Sequence, residues 1–362
     1  MNVWHIKNSP YKSKILNNSI SFGEIYLLDH YHGKEPFLEN GKNKNEFYFA
    51  PSVFLDSNMA TELNIFFQNK SSKNKQKKDF ISFLKFITKN RWSVSLNFYY
   101  MESYYKNKYT GNVLSFRKHA LEYTESYLKL MLMDEDIFLK TGNYISTNNP
   151  EQKEFYSKGR GIKERSREIV DNFTNTYSEL NFNLEAIEIL LIKMVLINHF
   201  EFKNKSTVFK LREFNKFMQE ILCIVFAREC YLAYKYFNQD SGKFLGVQVN
   251  SNYDKAISNI KSTAWDIFLL RIHEFMLRKP DEDNIFDLGY LVTKEKQLFE
   301  FGKLFEYNSI AFHNDIPTAI FDFPVEISAI FQKKDYIPTS YENLSYLLTS
   351  MELALKYYLQ PK

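Results

Sequence analysis

The sequence is poor in the residues that interrupt or cross-link a chain, with 11 glycines, 9 prolines and 2 cysteines among 362 residues. So few glycines and prolines exclude a collagen-like chain and a Pro/Gly-rich disordered one. An uncharged apolar run of about 18 residues is also missing, because the best candidate, residues 184–200, contains Glu185 and Lys193. The sequence therefore predicts a folded protein without a membrane-spanning helix.

The two cysteines, Cys223 and Cys230, lie seven positions apart in a predicted helix. That spacing separates them by about 10 Å along the helix axis, which is too far for a disulfide. No CxxC, HExxH or Cys/His cluster indicates a zinc site. Residues 1–7 contain no apolar run typical of a secretory signal. We expect reduced cysteines and a cytoplasmic location.

Aromatic residues are abundant: 34 Phe, 25 Tyr and 3 Trp make up 17% of the chain. The net charge of +4 permits a polyanionic partner but does not establish one. Two basic stretches, residues 70–78 and 158–167, fit either a solvated face or a rim that attracts phosphate.

The apolar pattern indicates strands that alternate with helices. Residues 53–55 form a buried-strand pattern that ends at Asp56, and a helical period follows. Residues 288–293 repeat this arrangement, and the pattern of residues 115–255 is strongly helical. This alternation predicts an α/β fold, in which a short parallel sheet is flanked by helices in three layers.

The ends of the chain and one internal stretch stand apart from this pattern. Residues 1–50 are an N-terminal extension without an assigned role. Residues 142–161 are a predicted internal loop, and residues 321–362 are a C-terminal helical segment.

Four acidic residues have placements that call for an explanation. Asp56 and Glu295 follow predicted strands, where ligand sites of open α/β sheets are found. Glu102 and Asp266 lie among apolar residues, where a buried carboxylate requires a partner or a cation. Taken singly, each is also explained by a helix cap or by a salt bridge, for example with Arg271.

Together these acids resemble the active-site pattern of the PIN-like nuclease family. Val53-Phe-Leu-Asp-Ser-Asn58 is similar to that family's first-strand motif, hhhDxN, in which h is apolar. Residues 289–298, Gly-Tyr-Leu-Val-Thr-Lys-Glu-Lys-Gln-Leu, look like its hhVTxDxxL motif, with Glu295 where aspartate is usual. The resemblance covers residues 50–110 and 255–315, and Asp266 and Glu102 are the matches for the remaining two acids. It implies a domain over residues 51–320, whose core (51–110 and 255–320) is interrupted by a large helical insertion (111–254).

The resemblance implies a PIN-like fold and a metal-dependent nuclease that uses Mg²⁺ or Mn²⁺ and acts on RNA rather than DNA. A toxin-like or phage-defence role also follows from the family alone. Asp56, Asp266 and Glu295 would bind the metal, and Glu102 would bind it or orient the attacking water. The implied supporting residues are Asn58 and Thr293 as hydrogen-bonding partners of the ligands, and Lys294 and Lys296 as contacts to the nucleic-acid backbone.

Two other functions remain open from the sequence. The Asp56 segment also resembles the nucleophile strand of haloacid-dehalogenase-like phosphatases, although Asn58 stands where those enzymes have a second aspartate. Alternatively, the acids are structural and the helical middle binds another protein or a second copy of the chain. Dependence on Mn²⁺ distinguishes the nuclease from such a binding protein.

Overall fold

The computed structural model of the chain separates into two units. Unit 1 comprises residues 1–178 and 271–320, and unit 2 comprises residues 179–270 and 321–362. The structure describes residues 2–8, 16, 18–30, 39–40, 45–68, 74–109, 112–176, 181–223, 226–239, 244–248, 250–271, 285–305, 307–313, 316–321, 330 and 341–360.

A seven-stranded mixed sheet lies at the centre of unit 1. Its strands are β1 (Asn2–Asn8), β2 (Ile20–Phe22), β3 (Ile25–Leu28), β4 (Glu39–Asn40), β5 (Asn45–Leu55), β6 (Ser93–Ser95) and β7 (Ile285–Thr293). Along the path β2-β3-β7-β5-β1-β4, strands β1 and β7 run parallel to β5, and β6 also pairs parallel with the C-terminal half of β5. The strands at the margins, β2, β3 and β4, pair antiparallel.

Helices of unit 1 contact this sheet and one another. They are α1 (Ser57–Phe67), α2 (Asn74–Asn90), α3 (Asn97–Tyr109), α4 (Val113–Met131), α5 (Glu135–Thr141), α6 (Pro150–Ser157), α7 (Ile162–Thr176) and α12 (Lys296–Gly302). Both α1 and α3 contact β5, while α12 contacts β3 and β7. Two further strands, β8 (Tyr307–His313) and β9 (Ile316–Phe321), form a separate two-stranded sheet.

Aromatic side chains fill much of the interior of unit 1. Phe54 of β5 meets Phe98 of α3 edge to face, with ring centroids 5.5 Å apart. Trp92 stacks on Tyr290 of β7 at 4.6 Å. Large rings bury more apolar area per residue than other side chains do, so part of the aromatic surplus in the sequence is used for core packing.

Unit 2 is built around one buried helix. In the described residues it contains α8 (Asn181–Leu196), a π-helical turn (Ile197–Glu201), α9 (Thr207–Phe217), a second π-helical turn (Met218–Leu222), α10 (Ala227–Phe237), α11 (Tyr253–Leu269) and α13 (Tyr341–Leu359). Helices α10, α11 and α13 all contact α8. Residues 186–192 of α8 are almost fully buried, which explains why this helix is apolar around its whole circumference.

The α/β class predicted from the sequence is confirmed, but the sheet is mixed and not parallel throughout. Its antiparallel strands come from residues 1–50, which the sequence analysis left as an extension without a role. The division of the chain also differs from the predicted one. Helices α4–α7 of the predicted insertion (111–254) belong to unit 1, and residues 321–362 share unit 2 with α8–α11.

The cysteines are not joined by a disulfide, as predicted, but they do not share one helix. Cys223 ends the second π-helical turn in a left-handed conformation with φ 54°, whereas Cys230 is buried in α10. None of the helices in the described part of the chain combines the length and the apolar character that a bilayer crossing requires.

Candidate active site

Asp56 lies where β5 ends and α1 begins. Residues 53–55 are buried in the sheet, and the Asp56 side chain is itself buried. Its Oδ1 accepts a hydrogen bond from the backbone N–H of Met59 at 2.7 Å, so the carboxylate caps the N-terminus of α1. The backbone N–H of Asp56 donates to the carbonyl oxygen of Val292 at 3.2 Å, which extends the pairing of β5 with β7 by one bond.

The carboxyl end of β7 lies beside Asp56 because β5 and β7 are parallel and in register. Leu55 pairs with Val292, so the next residue, Thr293, is level with Asp56. The fully buried Thr293 hydroxyl donates a hydrogen bond to the Asp56 carboxylate. The same hydroxyl accepts the backbone N–H of Glu295 at 2.9 Å. Thr293 therefore links the two acids that follow adjacent strands.

Two further carboxylates approach from α3 and from the start of α12. Glu102 of α3 is buried, accepts a hydrogen bond from the Ser57 hydroxyl, and forms an ion pair with Lys106 one helical turn away. The exposed Glu295 precedes α12, and its Oε1 accepts a hydrogen bond from Asn58 Nδ2 at 2.9 Å. The residues that follow Asp56 in α1 therefore hold both neighbouring acids.

Burial raises the pKa of Asp56 from 3.8 to about 7. Hydrogen bonds from Thr293 and from the Met59 N–H oppose this rise, while the charges of Glu102 and Glu295 add to it. In the described part of the chain, the groups that act on Asp56 include no basic side chain. A carboxylate in this setting is ionised at neutral pH only at a cost, which a bound cation would offset.

The residues only partly fit a divalent metal ion. Carboxylate oxygens at the ends of adjacent strands are the ligand type that Mg²⁺ and Mn²⁺ prefer. Among the described residues, however, no group of three or more His, Cys, Asp or Glu side chains is arranged to hold a metal. Glu102 and Glu295 direct oxygens toward side-chain donors of the protein. Within the described residues, Asp56 accepts hydrogen bonds from the Met59 N–H and the Thr293 hydroxyl and has no basic partner.

Three of the four predicted acids come together in unit 1, and the fourth does not belong to it. Asp266 lies in α11 of unit 2, where it is half-buried. The acids of the candidate site in unit 1 are thus Asp56, Glu102 and Glu295, without Asp266.

The two lysines predicted to contact the nucleic-acid backbone have different surroundings in the structure. Lys294 forms an ion pair with Glu62 of α1, so its charge is already partly neutralised within the protein. Lys296 is exposed. In the basic stretch at residues 158–167, Arg160 and Arg165 both pair with Glu168. Residues 70–73 of the other basic stretch lie outside the described residues.

The sequence analysis missed Ser57, Lys106 and Glu62 as participants in this site. A readable signal existed for Lys106, because a lysine four positions after a helical glutamate is the favoured orientation for an ion pair. Ser57 follows Asp56 directly, but its hydrogen bond to Glu102 spans 45 positions and depends on the tertiary packing of α1 against α3.

Comparisons of the chain with protein family models, with curated proteins and with solved structures find no match. The function is therefore argued from the geometry of the site.

Proposed function

We propose that the chain is a metal-dependent nuclease that hydrolyses phosphodiester bonds, with Asp56 as its central carboxylate. The observation that supports this most is the buried Asp56, on which, among the described residues, two further acids and no basic side chain act. It stands at the carboxyl end of a strand, where α/β proteins bind their ligands. RNA rather than DNA as substrate, and a toxin-like or phage-defence role, rest on the PIN-like resemblance.

Each residue around Asp56 has a task in this proposal. Thr293 and the Met59 N–H fix the orientation of the Asp56 carboxylate, as supporting hydrogen bonds do for metal ligands. Glu102 and Glu295 add the negative charge that favours a cation beside Asp56. A divalent cation bound there would polarise the phosphodiester and lower the pKa of a bound water.

The substrate backbone requires positive charge near these acids. The exposed Lys296 directly follows Glu295 and is the residue that we assign to a phosphate contact. Lys294 is dropped from this role because Glu62 holds its ammonium group. Such contacts position the nucleic acid without reading its sequence.

The proposal is tested with purified protein, labelled single-stranded RNA and single-stranded DNA. We expect cleavage of RNA in Mn²⁺ and no cleavage when EDTA is present. Cleavage that persists in EDTA, or the absence of cleavage of both substrates in Mn²⁺ and in Mg²⁺, would contradict the proposal.

Thr293→Val is expected to raise the Mn²⁺ concentration needed for half-maximal cleavage by about 10–100-fold, the usual effect of losing a hydrogen bond to a metal ligand. The change removes the hydroxyl that donates to Asp56 and keeps the shape of the side chain. A Mn²⁺ titration of the initial cleavage rate measures it. Thr174→Val is the matched control, since its hydroxyl bonds only backbone carbonyls of α7 in the described structure. An equal shift in both variants would contradict the role given to Thr293.

A further inference from the structure

A concave pocket lies in unit 1, at the amino end of β6. It is a pocket of about 360 Å³ between the end of α2, β6 and the helices α4, α5 and α6. Ser93 of β6 is level with Ser52 of β5, four positions before Asp56, which corresponds to about 13 Å along the strand. The pocket does not include the carboxylates of the proposed active site, and its volume lies in the range of small-molecule sites, about 300–1,000 Å³.

The lining of the pocket combines an apolar wall with charges at its rim. Trp92 and Met133 are buried parts of the wall, while Arg91 and Glu135 are exposed. Tyr156 contributes a half-buried ring. A cavity with an apolar aromatic wall and a few convergent polar groups is typical of a binding site for an organic ligand.

Arg91 occupies a backbone position that normally belongs to glycine. Its φ of 56° follows the end of α2, where the Arg91 N–H donates to Thr88 O at 3.1 Å and the Trp92 N–H donates to Ile87 O at 3.0 Å. These two bonds form a Schellman motif, whose left-handed residue is usually glycine because a Cβ is strained there. Glycine would occupy this position without strain, whereas the arginine adds a guanidinium group to the lining of the pocket.

Two acceptors accompany this guanidinium group. Gln152 Nε2 donates to the carbonyl oxygens of Met131 at 2.8 Å and of Met133 at 3.4 Å, which fixes the amide and leaves Oε1 as an acceptor. Glu135 begins α5, and burial raises the pKa of its carboxyl group while the charge of Arg91 lowers it. A ligand that suits this set has a planar ring with N–H donors at one end and an anionic group at the other.

We propose that this pocket binds a guanine mononucleotide. The base lies against Tyr156 and the apolar wall, its amino and imino groups donate to Glu135 and Gln152, and Arg91 binds the phosphate. Stacking on an aromatic ring is a general mode of base recognition, and the planar guanidinium fork matches two phosphate oxygens. The inference is independent of the carboxylate site, because it uses none of that site's residues.

The test is titration calorimetry of the full chain with GMP, AMP, CMP, inorganic phosphate and tryptophan. We expect GMP to bind and the other four probes to bind at least about 10-fold more weakly, since AMP, CMP and tryptophan lack the paired amino and imino donors of guanine and inorganic phosphate lacks the base. Absence of GMP binding overturns the proposal. Binding of AMP, CMP, phosphate or tryptophan with equal affinity overturns the assignment of the ligand.

Arg91→Gly separates the role in binding from a role in folding. Glycine relieves the left-handed strain, so the Tm is expected to rise by about 2–4 °C while nucleotide affinity falls at least 10-fold. The matched control is Lys158→Gly, at the exposed left-handed C-cap of α6 with φ 50°, outside the pocket lining. We expect it to raise the Tm without changing the affinity. Unchanged affinity in Arg91→Gly, or an equal loss in the control, would overturn the assignment.

Asp56→Asn tests whether the nucleotide binds at the carboxylate site and not in the pocket. We expect the affinity of this variant to equal that of the unmodified chain. Loss of binding would place the nucleotide at the carboxylate site and would refute its assignment to the pocket, whereas the nuclease proposal would stand. If Asp56→Asn loses RNA cleavage but keeps its nucleotide affinity, the nucleotide pocket and the carboxylate site are separate.

Discussion

Asp56→Asn is expected to stabilise the protein at pH 8 and to change its stability little near pH 4, in EDTA at both pH values. The pKa of the carboxyl group is about 7 in the folded chain against 3.8 for the ordinary group. The folded state thus holds the proton more tightly than the unfolded state does. The contribution of this carboxyl group to stability is therefore full below about pH 4, falls as the pH rises to about 7 and is constant above that. Asparagine does not titrate and keeps the capping oxygen for the Met59 N–H.

The size of this effect follows from the shift. Three pH units correspond to about 4 kcal/mol of unfolding free energy, or to a Tm increase of about 10 °C at pH 8 for a chain of this size. Thermal unfolding followed by circular dichroism at several pH values measures it.

Asp134→Asn provides the matched control for this prediction. Asp134 caps α5 in the same way, because its Oδ1 accepts the N–H of Ile137 at 3.0 Å, but it is only half-buried. We expect this variant to follow the pH profile of the unmodified chain. If Asp56→Asn shifts the Tm by the same amount at pH 4 and at pH 8, the raised pKa is wrong and the argument for an uncompensated carboxylate fails.

Local sequence patterns were sufficient to predict the two strand ends of the site. The run at residues 53–55 is buried on both faces, and the residues near Val292 are buried likewise. A continuous apolar run of this kind indicates a strand covered on both sides, and the change to a helical period marks its end. In the structure these two strands are neighbours, since β5 and β7 pair directly.

Short strands and domain boundaries could not be predicted in the same way. Strands such as β4, with two residues, and β6, with three, carry no periodicity of their own, and they exist because β1 and β5 offer unpaired edges. Helices α4 and α7 are amphipathic, and so are α9, α10 and α11 of unit 2. Which core a helix joins depends on long-range packing, such as that of α4 on α1.

In the candidate site, too, local motifs predicted some residues, while contacts between distant positions could not be predicted. Asp56 and Thr293 were predicted from motifs that end strands, and their hydrogen bond follows from the register of β5 and β7. Asp266 was selected because an acid among apolar residues requires a partner, but that criterion does not say in which unit the residue lies. The ion pair of Lys294 with Glu62 joins positions 232 apart and has no local signature.

Asp56→Asn is also expected to lower the rate of Mn²⁺-dependent RNA cleavage by at least 100-fold, since losing a ligand should exceed the roughly 10–100-fold effect of losing its supporting hydrogen bond. Asp134→Asn and Asp266→Asn, which make the same chemical change elsewhere, should keep the rate within a factor of about three. Initial rates at saturating Mn²⁺ measure the three variants. Loss in Asp266→Asn, with its fold intact by circular dichroism, would return that residue to the site as the sequence motif predicted.

The two effects of Asp56→Asn are stronger evidence together than either alone. A variant that loses activity because it unfolds is less stable, whereas this one is expected to be more stable at the pH of the assay. Residues that lower stability while they support activity are characteristic of functional sites. If Asp56 only capped α1, its substitution by asparagine would leave the cleavage rate unchanged. An unchanged rate would therefore contradict the catalytic role of Asp56 and with it the nuclease proposal.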